Sequence, residues 1–235
     1  LLLKLKYFVI LLLRGREKLN KTIEQARTVV SYKDWYRTFQ SLSAVEIKGI
    51  ETHIENFSKK PLISIIMPTF NSESKWLRRA IESVQGQLYG NWELCICDDA
   101  STMTHVRPLL EEYAKADARI KTVFRETNGH ISAASNSALE IASGDFIAFL
   151  DHDDELTVEA LYMIVSHLND NPDTRMIYSD EDKIDVEGEL SEPHFKTQWN
   201  RELLTSYNYI SHFAAYERET LIAIGGLRKG FEGAQ

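Results

Sequence analysis

The densest concentration of reactive side chains in the sequence is Asp151-His152-Asp153-Asp154-Glu155, four carboxylates in five positions around a histidine. Carboxylates this close repel one another unless positive charge sits between them, and a divalent cation held by oxygen ligands is the economical source of it. Magnesium or manganese fits best. The cluster follows Phe146-Ile147-Ala148-Phe149-Leu150, a short apolar run with the pattern of a strand buried on both faces. Alternation along an extended chain turns Asp151 and Asp153 to one side and His152 to the other, and a pair so spaced can share one ion. In open parallel sheets ligands bind beyond the carboxyl ends of the strands, where this cluster falls. Part of it has a structural alternative: Asp154 or Thr157 is placed to cap the following helix, whose apolar positions Leu161, Ile164, Val165 and Leu168 keep helical spacing.

Other polar groups follow other apolar runs. Asp98 and Asp99 close the run from Glu93 to Cys97. A carboxylate there can accept the imide N–H of uracil or thymine or bond a ribose hydroxyl, so one of the two is a candidate for selecting a nucleoside. The alternative is that the pair caps the next helix with Ser101 and Thr102. Asn128-Gly129-His130 follows a third run, where Gly129 permits a sharp turn and His130 is either a phosphate or pyrimidine contact or a plain loop residue. The first run ends in Pro68-Thr69-Phe70-Asn71, with no G-x-G-x-x-G and no Walker sequence after it. Backbone amides are therefore not the evident holder of a diphosphate, and a cation on Asp153 is the natural replacement. Asp180-Glu181-Asp182 reads as a solvated face. His194, Phe195, Trp199 and His212 mix aromatic and polar character as sugar-binding surfaces do, although Trp199 serves equally well in a core.

The elements that must position these groups begin at Leu62. Leu62 to Met67, Glu93 to Cys97, Ile120 to Phe124, Phe146 to Leu150 and Met176 to Ser179 read as strands. Between them lie helices carrying Leu77, Ile81 and Val84, then Val106, Leu109, Leu110 and Tyr113, then the alanine-rich stretch from Ser132 to Ala142, stopped by Gly144. Successive strand-helix units predict an α/β fold with a Rossmann-like, mainly parallel sheet and helices on both faces. Val186 to Glu189 suggests a hairpin turn and Ile210 to Tyr216 a further strand that carries His212. Residues 61–235 form this domain, and residues 1–60 form a helical segment before it with apolar positions from Leu19 to Ile54 at helical spacing, Trp35, Tyr36 and Phe39 being a packing stripe. Leu1 to Leu13 is apolar but falls short of the roughly 20 residues a spanning helix needs. With Arg14, Arg16 and Lys18 at its edge, the stretch 1–18 either contacts an anionic membrane surface, at the inner face of a cytoplasmic membrane, or packs as a core helix.

Composition narrows the classes. At 43% hydrophobic and 26% charged, the 235 residues describe a globular chain rather than a disordered one. With 27 basic against 35 acidic side chains, the net charge of -8 argues against a general nucleic-acid binder. Cys95 and Cys97 stand two strand residues apart, poorly placed for a disulfide, and read as buried thiols of a reducing compartment.

Together these residues resemble glycosyltransferase family 2, whose catalytic domain has the GT-A fold. The resemblance runs from about Pro61 to Gln235 and is carried by Ile63 to Asn71, Leu94 to Ser101, Asn136 through Asp154, and Gly225 to Gln235; Tyr32 to Tyr36 is similar to the lead-in of bacterial surface-polysaccharide members. It implies that Pro68 and Thr69 wall the nucleobase, that Asp99, with Asp98 beside it, recognises the base, and that His130 stands where some members place an arginine near base and phosphate. Asp151 and Asp153 match the outer acids of the Asp-x-Asp signature, the first near ribose or metal and the second on the metal. His212 matches a position on the acceptor side, with Trp199 and Glu232. The implied reaction is inverting, metal-dependent transfer from a nucleoside-diphosphate sugar to a hydroxyl of a glycan or lipid-linked glycan in surface-polysaccharide synthesis. The resemblance places the general base directly after Gly233-Ala234-Gln235, so residues 1–235 by themselves are expected to bind donor and transfer sugar poorly or not at all. A sugar-1-phosphate nucleotidyltransferase would share the sheet and the acids, but needs a Gly-rich, Lys-bearing loop where Pro68 to Glu73 has neither residue. A noncatalytic nucleotide-sugar-binding module is the other alternative.

Overall fold

The computed structural model describes residues 31–231. The apolar stretch 1–18, the helical spacing up to Val30, and Glu232 lie outside the described residues. Two compact units are distinguished. The smaller comprises residues 31–41 with Asp182–Pro193, and the larger residues 42–181 with 194–231. In the smaller unit α1 (Tyr32–Phe39) is capped by Ser31, whose hydroxyl accepts the Asp34 N–H. The Tyr32 hydroxyl donates to Asp182 at 2.6 Å and the Tyr32 and Trp35 rings stack at 5.7 Å.

In the larger unit α2 (Ala44–Glu55) opens with a reciprocal capping box between Ser43 and Glu46. The α/β part follows: β1 (Ile63–Thr69), α3 (Ser74–Gln85), β2 (Trp92–Asp98), α4 (Val106–Ala116), β3 (Ile120–Phe124), α5 (His130–Glu140), β4 (Phe146–Phe149), α6 (Ala160–Asp170), β5 (Met176–Tyr178). The hairpin of β6 (Glu181–Ile184) and β7 (Leu190–His194) follows, all but its two end residues in the smaller unit, and then in the larger one α7 (Arg201–Ser206), β8 (Ala214–Glu217) and α8 (Arg218–Ala223). The six-stranded sheet has the order β3-β2-β1-β4-β8-β5. β1 pairs in parallel with β2 and β4, and β2 with β3, whereas β8 runs antiparallel to both β4 and β5. The expected α/β class and mainly parallel sheet are observed.

Every residue of β1 and β2 is buried, and alternation sorts their side chains into two cores. Ile63, Ile65, Met67, Leu94 and Ile96 face α3, α4 and α6, while Ile66, Cys95 and Cys97 face the alanines of α5. Both cysteines are free, and burial pushes their thiols up to about 12. Ala134 and Ala138 let α5 lie close on the sheet. Gly144 does not stop that helix, which closes on Ile141; a Cβ at Gly144 would stand 2.6 Å from the Leu62 carbonyl oxygen, so close passage beside β1 requires glycine.

Three local expectations are corrected. The strand expected from Ile210 begins only at Ala214, because the Ile210 and His212 carbonyls are bonded by the Lys196 ammonium and the His212 N–H by Glu181, instead of by a ladder. His212 thus precedes the strand. β4 ends at Phe149 and the chain turns at once, the Asp154 N–H donating to the Asp151 carbonyl at 3.2 Å, so period-two alternation does not extend through Asp151 to Asp153. Neither Asp154 nor Thr157 caps α6, whose N-cap is Glu159 without a side-chain bond.

The amino ends of the central strands are tied by one buried carboxylate. Glu93 on β2 accepts from Ser64 of β1 at 2.6 Å, from Lys121 of β3 at 2.6 Å and from the Ser143 N–H ahead of β4 at 2.5 Å. Burial opposes its charge, but these donors outweigh burial and hold it well down, from 4.5 to about 2. A carboxylate depressed on folding contributes stability that is complete above its unfolded pKa and is lost as pH falls through the folded one. Glu93→Gln should therefore unfold with a loss of roughly 3 kcal/mol at pH 7. Denaturant titrations of parent and variant should converge between pH 5 and 2; a gap independent of pH would contradict this account.

Candidate functional site

The parallel register brings the carboxyl ends of β1, β2 and β4 side by side, with Thr69 opposite Asp98 and Ile66 between Cys95 and Phe149. Beyond those ends lies a cleft of about 320 Å³. Pro68, Thr69, Asp99, His130, Asp151 and Asp153 all line it, joined by Phe70, Asn128, Ile131, Ala134 and His152. Six of the residues singled out from sequence therefore share one space. His152, expected to turn away from the acids, lines the same cleft because the backbone turns there.

Asp99 is 2% exposed and does not cap the following helix, whose N-cap is His105. Its carboxylate accepts the Gly129 N–H on both oxygens at 3.0 Å, and the Arg125 Nε lies 2.7 Å from Oδ1. The buried charge is thus paired by the arginine, which sequence reasoning passed over, while the Gly129 N–H orients the carboxylate. Arg125 is anchored in turn by donating to Ser137 Oγ at 2.8 Å. Asp98 is not among the cleft residues; its Oδ1 accepts the Ser101 N–H at 3.2 Å and shapes the loop. The Thr69 hydroxyl is buried without a hydrogen-bond partner among the described residues, a cost that a polar ligand group would relieve. His130, the first residue of α5, is exposed with a φ of 64°.

Asp151, Asp154 and His212 converge: one donor atom from each lies within 4.8 Å of the others. His212 Nε2 is 3.8 Å from Asp151 Oδ2, and Nδ1 is 3.5 Å from Asp154 Oδ2. Two carboxylates and an imidazole form a donor set suited to a divalent cation such as manganese or magnesium. Asp153 stands apart from this group on the same turn, its side chain 61% exposed and its Oδ1 3.8 Å from His152 Nδ1. Trp199 is 59% exposed in the loop ahead of α7, outside the cleft. Asp154 carries the electrostatic strain. Burial foremost, then the charges of Asp151, Asp153 and Glu181, push its carboxyl from 3.8 to about 6 against the opposing pull of His212.

The acidic run at Asp180 and Glu181 is a solvated face only in part: Asp180 is exposed, but Glu181 is half-buried and both are bonded. Asp180 accepts the Lys196 N–H at 2.7 Å, and Glu181 accepts from His194 Nδ1 and the His212 N–H, each at 3.0 Å, and from Lys196 Nζ at 3.2 Å. Asp154 is legible in the sequence as one of the clustered acids, with capping as its structural alternative; Lys196 carries no local signal and Glu181 none for its main-chain role, because their partners come from distant segments.

The profile of the family described as Glycosyl transferase family 2 matches residues 64–225. The O-antigen biosynthesis protein RfbC of Myxococcus xanthus is 37% identical over 189 residues, which is 80% of this chain and 15% of that protein. Among solved structures, S. aureus TarS 1-349 in complex with UDP-GlcNAc superposes with a TM-score of 0.55 at 23% identity, over 69% of this chain and 47% of that one. The mannosyltransferase PcManGT from Pyrobaculum calidifontis, in complex with GDP-Man and Mn2+, gives 0.55 at 17% identity, over 77% and 55%. The chain thus spans 15% of RfbC and about half of each solved chain, and these likenesses establish the GT-A type of fold.

A raised carboxylate makes the folded state costly as pH rises: the penalty at Asp154 begins near its unfolded value of 3.8 and is complete above about 6. Asp154→Asn should raise the unfolding midpoint of the ligand-free protein at pH 7.5 and leave it unchanged at pH 3.5. The gain is moderated because the side chain is 42% exposed. Thermal melts across that range provide the check, and a variant destabilised at pH 7.5 would mean that Asp154 is a structural anchor.

Proposed function

This chain belongs to glycosyltransferase family 2, and on that premise we propose that it binds a nucleoside-diphosphate sugar in the cleft at Thr69, Asp99 and Asp151 and transfers the sugar, with inversion, to a hydroxyl of a glycan or lipid-linked glycan. The observation that carries the reading is the sharing of one cleft by two kinds of group. Asp99 is an oriented acceptor for a base or ribose donor, and Asp151 belongs at once to the cleft and to the cation-competent cluster. TarS is solved with UDP-GlcNAc and PcManGT with GDP-Man, both nucleoside-diphosphate sugars, which supports the same donor class here. The relationship to RfbC supports a role in building surface polysaccharide.

In this reading Pro68 and Thr69 wall the nucleobase, and Asp99 accepts its imide N–H or a ribose hydroxyl with the oxygen capacity left by Gly129 and Arg125. The Thr69 hydroxyl gains the partner it lacks. His130, at the exposed rim, meets the phosphate side. Asp151, Asp154 and His212 would hold a divalent cation, manganese or magnesium, which would supply the positive charge that a departing diphosphate needs. The exposed Trp199 indole offers an apolar face to an acceptor sugar. The acceptor hydroxyl, deprotonated by a general base, attacks the anomeric carbon from the face opposite the diphosphate, which inverts the configuration.

Two acids compete for the cation. The family signature favours Asp153 and the converging geometry favours Asp154, so Mn2+ titrations of Asp153→Ala and Asp154→Ala by electron paramagnetic resonance decide between them. The geometry predicts the greater loss in Asp154→Ala, with metal-dependent UDP affinity falling in parallel; unchanged Mn2+ affinity in both variants would refute the cation site. For the base, Asp99→Asn should weaken UDP by roughly 1.5–3 kcal/mol, as expected for a lost charged hydrogen bond. Calorimetry that finds parental UDP affinity in Asp99→Asn would remove Asp99 from recognition.

A further inference from the structure

The imidazole of His212 is 49% exposed, too little packed for its own contacts to fix it beside two carboxylates. Its main chain, in contrast, is held on both sides. The His212 N–H donates to Glu181 Oε2 at 3.0 Å, and the His212 carbonyl accepts from the Lys196 ammonium. Lys196 also donates to the Ile210 carbonyl at 2.5 Å and to Glu181 Oε2 at 3.2 Å. The Lys196 side chain is 1% exposed, and three acceptors use all three protons of its ammonium. It has no donor left for a ligand, so whatever it contributes to the site it contributes through residues 210–212. Glu181 is fixed from its other oxygen by His194 Nδ1 at 3.0 Å, and Lys196 by its own N–H on Asp180 at 2.7 Å.

We propose that Lys196 and Glu181 form a clamp on the His212 peptide groups, and that this clamp positions the His212 imidazole as a ligand for the cation at Asp151 and Asp154. The proposal rests on the cation site assigned above. It makes Lys196 a positioning residue whose effect on the metal has a sign opposite to its charge. Burying a lysine near a cation site costs affinity by field alone, so deleting its charge should strengthen cation binding if field were all that mattered. A clamp predicts the reverse: losing it releases residues 210–212 and weakens the metal, by about tenfold or more, as with other partners that orient metal ligands.

The experiment compares the parent chain with Lys196→Met, which keeps the apolar stem, His212→Ala, and the two combined. Two measurements are made: Mn2+ affinity by electron paramagnetic resonance, and amide hydrogen exchange of the metal-free proteins by mass spectrometry. The clamp predicts that Lys196→Met exchanges faster at residues 210–213 while β1 and β2 stay protected, that its Mn2+ affinity falls toward that of His212→Ala, and that the double variant falls no further. Unchanged exchange at 210–213 overturns the clamp whatever the metal does. Faster exchange with equal or tighter Mn2+ binding, in a protein where His212→Ala does weaken the metal, overturns the link between clamp and ligand. A further loss in the double variant also overturns it, since Lys196 would then act other than through His212. If His212→Ala leaves Mn2+ affinity untouched, the cation site itself fails and the function given to the clamp fails with it. Should Lys196→Met expose β1 and β2 to exchange, Lys196→Met with Glu181→Gln removes the carboxylate charge that has lost its lysine, and the same criteria apply to that pair.

Discussion

Burial of β1 and β2 on both faces is the constraint from which the rest of the larger unit follows. Strands covered by helices on either side leave no lateral surface for polar chemistry, so reactive side chains appear only where the strands run out. The parallel register then makes the ends of β1, β2 and β4 neighbours in space although they are distant in sequence. At the amino ends the same crowding is handled by one carboxylate, Glu93, saturated with donors from three neighbouring segments. At the carboxyl ends, carboxylates remain directed to a cleft.

The two ends differ in how charge is balanced. Glu93 and Asp99 each have a basic side chain at short distance, Lys121 at 2.6 Å and Arg125 at 2.7 Å, so each has an opposite charge beside it within the fold. Asp154 has no such partner among the described residues: its neighbours are Asp151 and Asp153, with a histidine as the opposing influence. A site that tolerates this imbalance has given up stability at that point, which is the usual cost of preparing a place for a cation or a reacting group. The Lys196 ammonium is close in space to the cluster yet fully committed to carbonyl oxygens and Glu181, so it steadies the backbone without neutralising the acids.

The Asp99 end and the Asp151 end of the cleft also differ in how they are held. Asp99 is buried and bonded by the Gly129 N–H beside Arg125, as the base selection proposed for it would require, because a misplaced acceptor loses directional hydrogen bonds. Asp151, Asp153 and Asp154 lie on a turn, and His212 on a segment outside the ladder, so that end depends on bonds from other segments. Arg79 of α3 reaches that turn through Glu155 at 2.5 Å, and Gln87 bonds the Thr157 carbonyl at 2.7 Å and the Leu161 N–H at 3.0 Å. Placement of the acids is thus shared between β4 and the end of α3.

The sequence alone determined β1 to β5, the helices between them, and the strand ends where polar groups emerge, because hydrophobic period and length are local properties written in consecutive residues. It also brought Pro68, Thr69, Asp98, Asp99, His130, Asp151 and Asp153 to one edge, since parallel strand-helix units put their carboxyl ends there, although Asp98 holds the loop and does not line the cleft. Only the tertiary structure decided which acid meets His212. That choice rests on a turn at Asp151, where alternation ceases, and on a histidine brought in from beyond the β6–β7 hairpin. Only the tertiary structure turned Glu181 from a solvated acid into a main-chain acceptor and Lys196 from a loop charge into a buried donor. The reason is physical: a buried charge is defined by partners, and its partners here are peptide groups of Ile210 and His212, which every residue carries and no sequence pattern marks.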